Sequence, residues 1–262
     1  MIRIENISKR YRYNGRESAT ILSDINLTIP EGQFVCLLGP SGCGKTTLLN
    51  LVAGFIKPSQ GRILFNDARV TGPGPERGVV FQDATLFPWL TVLQNVEFGL
   101  RQRGLNKNDR TKTATEYLHL VGMALHANAY PHTLSGGMRQ RIAIARVLAL
   151  EPQALLMDEP FSSLDINSRE HLQDELLRVW DAHRRTLLYV THSVEEAVYL
   201  ADRVIIMGPA PKSICGDMIL PLKRPRKHLS DEFHDVIASL RISLDALPCC
   251  IKPSEKKSGR TL

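Results

Sequence analysis

Gly39-Pro40-Ser41-Gly42-Cys43-Gly44-Lys45-Thr46, continued by Thr47, decides how the rest of this chain is read. The stretch fits G-x-x-x-x-G-K-[ST], a pattern that carries weight only between a strand and a helix. Both neighbours are present. Gln33 to Leu38 is a short apolar run, read as a strand buried on both faces, and about Lys45 to Gly54 reads as a helix. A polyphosphate must be approached closely by backbone N–H groups, which glycines allow because they lack Cβ. The helix N-terminus adds free donors and partial positive charge. Lys45 supplies a point charge for terminal phosphates, and the Thr46 hydroxyl suits a Mg2+ ligand. Cys43 reads as a small loop residue rather than a redox thiol, since the pattern leaves its position free.

Upstream, Ile2, Ile4 and Ile7 start one strand and Ile21 to Ile29 alternates over a second. The polar segment Asn14 to Ser18 between them is expected to be a hairpin-like loop. Downstream, apolar positions recur at helical spacing from about Thr91 to Leu150, as in Val92, Val96, Phe98, Leu100, Tyr117, Leu118 and Val121. Two strand-to-helix units follow: Ala154–Met157 with Ser168–His183, and Thr186–Val190 with Val194–Ala201. Alternating strands and helices imply a parallel sheet. After Met207 the chain turns Pro-, Lys- and Arg-rich, with one helix expected near Phe233–Leu240.

The 262 residues are 43% hydrophobic and 23% charged, the balance of a globular protein with a sizeable core. No run approaches the ~18 apolar residues of a spanning helix. Met1-Ile2-Arg3-Ile4-Glu5 lacks the apolar stretch of a secretory signal. The five cysteines match neither a zinc site nor a disulfide framework, so a reduced, cytosolic compartment is expected. Net charge is +6, of which residues 1–206 hold +2 and residues 207–262 hold +4. The basic tail reads either as a solvated segment or as a surface for lipid headgroups or a protein partner.

Two further constellations carry chemistry. The strand Ala154–Met157 ends in Asp158-Glu159-Pro160. Ligands in parallel α/β sheets sit beyond the carboxyl ends of the strands, so these carboxylates should face the phosphate loop. Asp158 is placed to hold magnesium through water, and Glu159 to orient and polarise an attacking water. Leu134-Ser135-Gly136-Gly137-Met138 precedes a helix and reads either as a second anion cradle or as an ordinary cap by Ser135. One nucleotide does not need two cradles, whereas two chains sandwiching two nucleotides would.

The ordered set Gly39–Thr46, Gln82, Leu134–Met138, Leu155–Glu159, Ser163-Leu164-Asp165 and His192 resembles the ATP-binding subunit of an ABC transporter over about residues 1–206. The resemblance implies an α/β fold: a P-loop NTPase ABC ATPase core, an N-terminal antiparallel β subdomain and an inserted α-helical subdomain near 91–150. Residues 207–262 would form a short basic extension. It implies ATP and Mg2+ as cofactors. Glu159, His192 and Gln82 would be catalytic; Gly39, Pro40, Ser41, Gly42, Cys43, Gly44, Lys45, Thr46 and Thr47 would cradle ATP. Thr46, Gln82 and Asp158 would serve the metal. Tyr11 matches the aromatic that stacks on adenine, with Tyr13 a rival. Leu134, Ser135, Gly136, Gly137 and Met138 match the signature that closes over ATP held by a second subunit, and Asp165 the residue that communicates across the dimer.

Phe81-Gln82-Asp83-Ala84-Thr85-Leu86-Phe87-Pro88-Trp89 is similar to a stretch of the nitrate/sulfonate/taurine import branch. So are Arg169, Trp180, Thr191 to Ala197 and Lys223-Arg224-Pro225-Arg226. Ser163 departs from the alanine of many relatives, and Cys249-Cys250 has no counterpart. The branch implies a second copy of the chain as partner, two membrane permeases, indirectly an extracytoplasmic solute-binding protein, and no nucleic acid. It implies a peripheral position on the cytoplasmic face of the inner membrane. Leu86, Phe87 and Trp89 would then line a groove for a permease helix; packing of the helical subdomain is their other reading. The competing class is a non-transport ABC ATPase acting on nucleic acid or the ribosome, which usually carries coiled-coil insertions or tandem cassettes; sustained heptads and a second cassette are both missing from the 262 residues.

Overall fold

Two sheets share the chain. A computed structural model describes residues 1–13 and 16–247, with side chains except those of 12, 13, 16–19 and 183. In the smaller sheet, β1 (Ile2–Tyr13) lies between β2 (Arg16–Ile29) and β4 (Gln60–Phe65), antiparallel to both, and β5 (Ala68–Arg69) borders β4. The larger sheet runs β10-β9-β3-β8-β7-β6. Its strands are β3 (Phe34–Leu38), β6 (Arg77–Val80), β7 (Ala154–Asp158), β8 (Thr186–Thr191), β9 (Arg203–Met207) and β10 (Ile214–Ile219). All neighbours are parallel except β9 and β10.

The alternation of side chains along the central strands builds a core on each face. Phe34, Cys36, Leu38, Leu155, Met157, Leu187 and Tyr189 join one apolar cluster, and Val35, Leu37, Leu156, Leu188 and Val190 the other. The second face is covered by α1 (Lys45–Ala53) and by Ile2, Ile4, Ile7 and Ile29 of the small sheet. On the first face lie α2 (Val92–Gln102), α3 (Lys107–Leu120), α4 (Gly136–Leu148), α5 (Ile166–His183), α6 (Val194–Leu200) and α7 (Asp231–Asp245). Residues 81–153 contain no strand. Helix α2 begins in a capping box between Thr91 and Gln94, α3 with an Asn106 cap and α4 with a Ser135 cap.

The structure adds elements that the sequence reading lacks. Strands β4 to β6 fill the interval after Gly54, and β2 starts at Arg16 rather than Ile21. The expected loop at 14–18 is therefore shorter on the described side, with Tyr13 paired to Arg16. Beyond residue 206, β10 pairs with β9, and Arg203 donates to Asp217 across the pair at 2.6 Å. Helix α7 buries Phe233, Ile237 and Leu240. Arg226 is buried and donates to the carbonyls of Val198, Tyr199 and Ala201, which end α6. Cys249-Cys250 lies outside the described residues.

Candidate nucleotide-binding site

The glycine-rich turn leads from β3 into α1. Gly42 and Gly44 have φ of +81° and +99°, which glycine adopts without strain. A Cβ on Gly39 would intrude on the Met207 carbonyl oxygen, so the loop fits the end of β9 only without one. Helix α1 starts after Gly44 with no side-chain cap, leaving its first-turn N–H groups to serve an anion. The Lys45 ammonium arches back to donate to the carbonyls of Gly39 and Pro40, at 2.7 and 2.9 Å. Cys43 is buried in the core beneath the loop.

Opposite the loop, β7 delivers Asp158 at its carboxyl end. The Thr46 hydroxyl donates to Asp158 Oδ1 at 3.1 Å. Burial pushes the Asp158 carboxyl above its ordinary value; the Thr46 bond opposes this, and neighbouring Glu159 adds to it. A buried carboxylate beside a hydroxyl is the hard-oxygen set that Mg2+ takes, so these residues fit the ion. Glu159 turns the chain with φ +43°, left-handed for a residue with Cβ, and its N–H donates to Val190 at 3.0 Å. That turn aims its carboxylate at His192, just past β8, where Nδ1 lies 2.9 Å from Oε2.

One cleft of about 500 Å³ gathers Tyr11, Ile21, Ser41, Gly42, Gly44, Lys45, Thr46, Thr47, Gln82, Glu159 and His192. Gln82 comes from beyond β6, so the ends of three large-sheet strands and the phosphate loop meet there. Asp158 stands behind Thr46. Gly39, Pro40 and Cys43 shape the loop without lining the cleft. Tyr11 forms one wall from β1, with the Lys9 ammonium 5.0 Å above its ring. The side chain of its rival, Tyr13, lies outside the described ones. The sequence reading missed Ile21; it alternates with Leu22 on β2, and nothing local marks it as a cleft residue.

Leu134, Ser135, Gly136, Gly137 and Met138 are not in this cleft. Ser135 caps α4, accepting from the Met138 N–H at 3.3 Å. A Cβ on Gly137 would sit 3.1 Å from Leu164, so the segment abuts the turn that carries Asp165. Asp165 caps α5, and its bonds from Ser168 hold its carboxyl below the usual value. Signature segment and Asp165 thus share a surface apart from the cleft.

A second concavity, an apolar groove of about 970 Å³, is lined among others by Phe55, Phe81, Leu86, Phe87, Trp89 and Phe98. Trp89 is 70% exposed and packs no core. Phe87 sits 4.5 Å from the Phe98 ring and 5.5 Å from the Arg146 guanidinium. Leu86, Phe87 and Trp89 do line one groove; buried Asn95, which nothing local marks in the sequence, clamps the groove loop through Phe87, Leu90 and Thr91.

Residues 22–162 match the sequence pattern of the ABC transporter family. The chain is 49% identical over 207 residues to the nitrate import ATP-binding protein NrtD of Synechocystis sp., covering 79% of this chain and 78% of that one. It is 44% identical over 226 residues to the bicarbonate transport ATP-binding protein CmpD of the same organism, covering 85% and 80%. The ATP-binding cassette MJ0796, solved as a dimer in a post-hydrolysis state bound to ADP and Pi, superposes with a TM-score of 0.77 at 31% identity, over 85% of this chain and all of that one. This chain is therefore a member of the ABC transporter family, an ATP-binding domain of the ATP-hydrolysing type, with relatives in the nitrate-type import branch.

Proposed function

We propose that two copies of this chain close over two molecules of ATP, hydrolyse them with Mg2+, and thereby drive a small solute inward through two membrane permeases. The observation that carries the reading is the separation of two half-sites. Lys45, Thr46, Gln82, Glu159 and His192 share one cleft, while Leu134–Met138 and Asp165 lie outside it. A second cassette would bring such a signature to the first one's nucleotide, and a second copy of this chain carries one.

In this reading the loop N–H groups and Lys45 bind the phosphates, and Tyr11 takes the adenine. Thr46 and Asp158, with Gln82, would hold the magnesium ion, which neutralises charge between the terminal phosphates. Glu159 orients the attacking water and accepts its proton. His192, in contact with Glu159, reaches the terminal phosphate. Closure draws on contacts made only while that phosphate is present, so nucleotide state biases a two-state interface.

The groove around Trp89 suits a helix of a membrane permease better than a phosphate backbone, since its walls are largely aromatic and aliphatic. No helix among the described residues is long and apolar enough to cross a membrane; in this reading the permeases hold the chain at the membrane. The site would then stand at the cytoplasmic face, peripheral to the inner membrane, with a solute-binding protein on the far side. Nitrate and bicarbonate are the first solutes to test, followed by sulfonates and taurine. Phosphate release by the purified full chain, with and without Mg2+, tests the hydrolytic core. Uptake of each solute by cells carrying or lacking the chain tests the transport role. Undiminished uptake of all of them without it would remove that role.

A further inference from the structure

We propose that Glu196 is a positioning residue that ties the start of α5, behind Asp165, to the strand end carrying His192, so that the stance of the Asp165 turn sets the contact between His192 and Glu159. The inference rests on the hydrolytic reading above.

Glu196 is a buried carboxylate on the first turn of α6, outside the cleft. Its Oε2 accepts from Thr191 at 2.7 Å and from Tyr189 at 3.0 Å. Burial, then the Glu196 charge, pushes the Tyr189 hydroxyl well up, so it stays a donor. Thr191 Oγ1 in turn accepts the Ser193 N–H at 3.0 Å, and Ser193 Oγ accepts the Glu196 N–H at 3.2 Å. His192 lies between these two pinned residues. Its own side chain is 62% exposed and touches Glu159, so the backbone on either side has to place it.

The other carboxylate oxygen is held by α5, and less tightly. Gln173 donates to Oε1 at 3.3 Å, while Arg169 Nε stands 3.8 Å away. That Nε is buried without a hydrogen-bond partner. Arg169 also donates to the Leu164 carbonyl at 3.2 Å, and its N–H to that of Asp165 at 2.9 Å. The guanidinium is thus fastened to the Asp165 turn and stops just short of Glu196. A shift of about 1 Å in that turn closes the gap to the ordinary ~2.8 Å of a charge-assisted bond. It also satisfies the orphaned Nε. Contact of Asp165 with a second copy is the natural source of such a shift. Glu196 relays it to Thr191 and Ser193, and they carry His192.

The test is steady-state ATP hydrolysis by the full chain, with nucleotide affinity measured in parallel. Glu196→Gln should lower kcat by ~10- to 100-fold with affinity for ATP within about twofold, because a positioning fault acts on the reacting geometry. Arg169→Gln should lower kcat less, and the double variant should be no slower than Glu196→Gln alone, as expected for one link. Thr191→Val, nearly isosteric, should reproduce the kcat loss if Glu196→Gln fails to fold. Unchanged kcat in either folded variant, multiplying losses in the double variant, or equal losses of affinity and kcat would overturn the proposal. Turnover in the wild type together with full turnover in Glu196→Gln sinks this inference alone. A wild type that binds ATP without hydrolysing it removes the hydrolytic reading, and this inference with it.

Discussion

Nδ1 of His192 lies 2.9 Å from Oε2 of Glu159, joining the ends of β8 and β7 across the mouth of the cleft. One carboxylate oxygen is thereby committed to the imidazole, and Oε1 is left to meet a water. Glu159→Gln keeps the shape and loses the proton acceptor. It should retain ATP binding, accumulate a closed dimer and lose ~10²- to 10⁴-fold in turnover. Size-exclusion chromatography with ATP, beside a phosphate assay, checks both halves; ordinary turnover would reassign the base.

The Lys45 ammonium is held by the Gly39 and Pro40 carbonyls; in the proposed reading it would trade those bonds for phosphate oxygens. Lys45→Ala should cost about 1.5–3 kcal/mol of nucleotide affinity, roughly 10- to 150-fold. Equal affinity by titration calorimetry rules out this cradle.

Asp158 yields a prediction with a pH sign. Burial raises its folded carboxyl above the unfolded value, so ionising it opposes folding. The cost is absent below the ordinary value of 3.8, grows as pH climbs through the raised folded value, and is complete above it. Asp158→Asn should therefore raise Tm at neutral pH, match the wild type at the acid end, and abolish Mg2+-dependent hydrolysis. A lower Tm at neutral pH contradicts the assignment of the shift to burial.

Trp89 offers a clean separation of roles. Trp89→Ser removes exposed aromatic surface from the groove and touches nothing in the cleft. Hydrolysis by the isolated chain should be unchanged, while co-purification with the permeases falls. Intact co-purification would move the docking site elsewhere.

Gly39→Ala tests the close approach of loop and β9. The added methyl meets backbone rather than a yielding side chain, so about 1–3 kcal/mol of stability should be lost. Chemical denaturation reads it directly, and a neutral effect would mean the loop can move aside.

The phosphate loop, the carboxylate pair and the central strands were legible because each is local: a glycine turn at fixed spacing, or an apolar run ending in acids. Strands at the margins were not. β4 exposes Gln60, Gly61 and Arg62, and β10 interrupts its alternation with Gly216 and Asp217, so neither shows a clean period of two. Val204 to Met207 is apolar throughout, yet a run of four does not separate strand from helix. Ile21 and Glu196 were invisible for another reason. Ile21 stands beside Gly44, and Glu196, besides its near neighbours Tyr189 and Thr191, meets Gln173 of α5; only the fold brings these distant partners together.

Arg226 bears on how short this protein can be made. Its guanidinium occupies the carbonyls that α6 leaves open at its end, while Arg224 pairs with Asp202 and stacks over Trp180. Cutting the chain at residue 206, the boundary that the motifs alone suggest, would uncap α6, uncover the β9 edge and strip Phe233 and Leu240 from the core. The smallest piece expected to fold on its own therefore runs through α7, and an expression boundary belongs beyond Asp245. Two cations that the amino-acid count assigns to a basic tail are internal fasteners, and they are not available to attract a lipid surface.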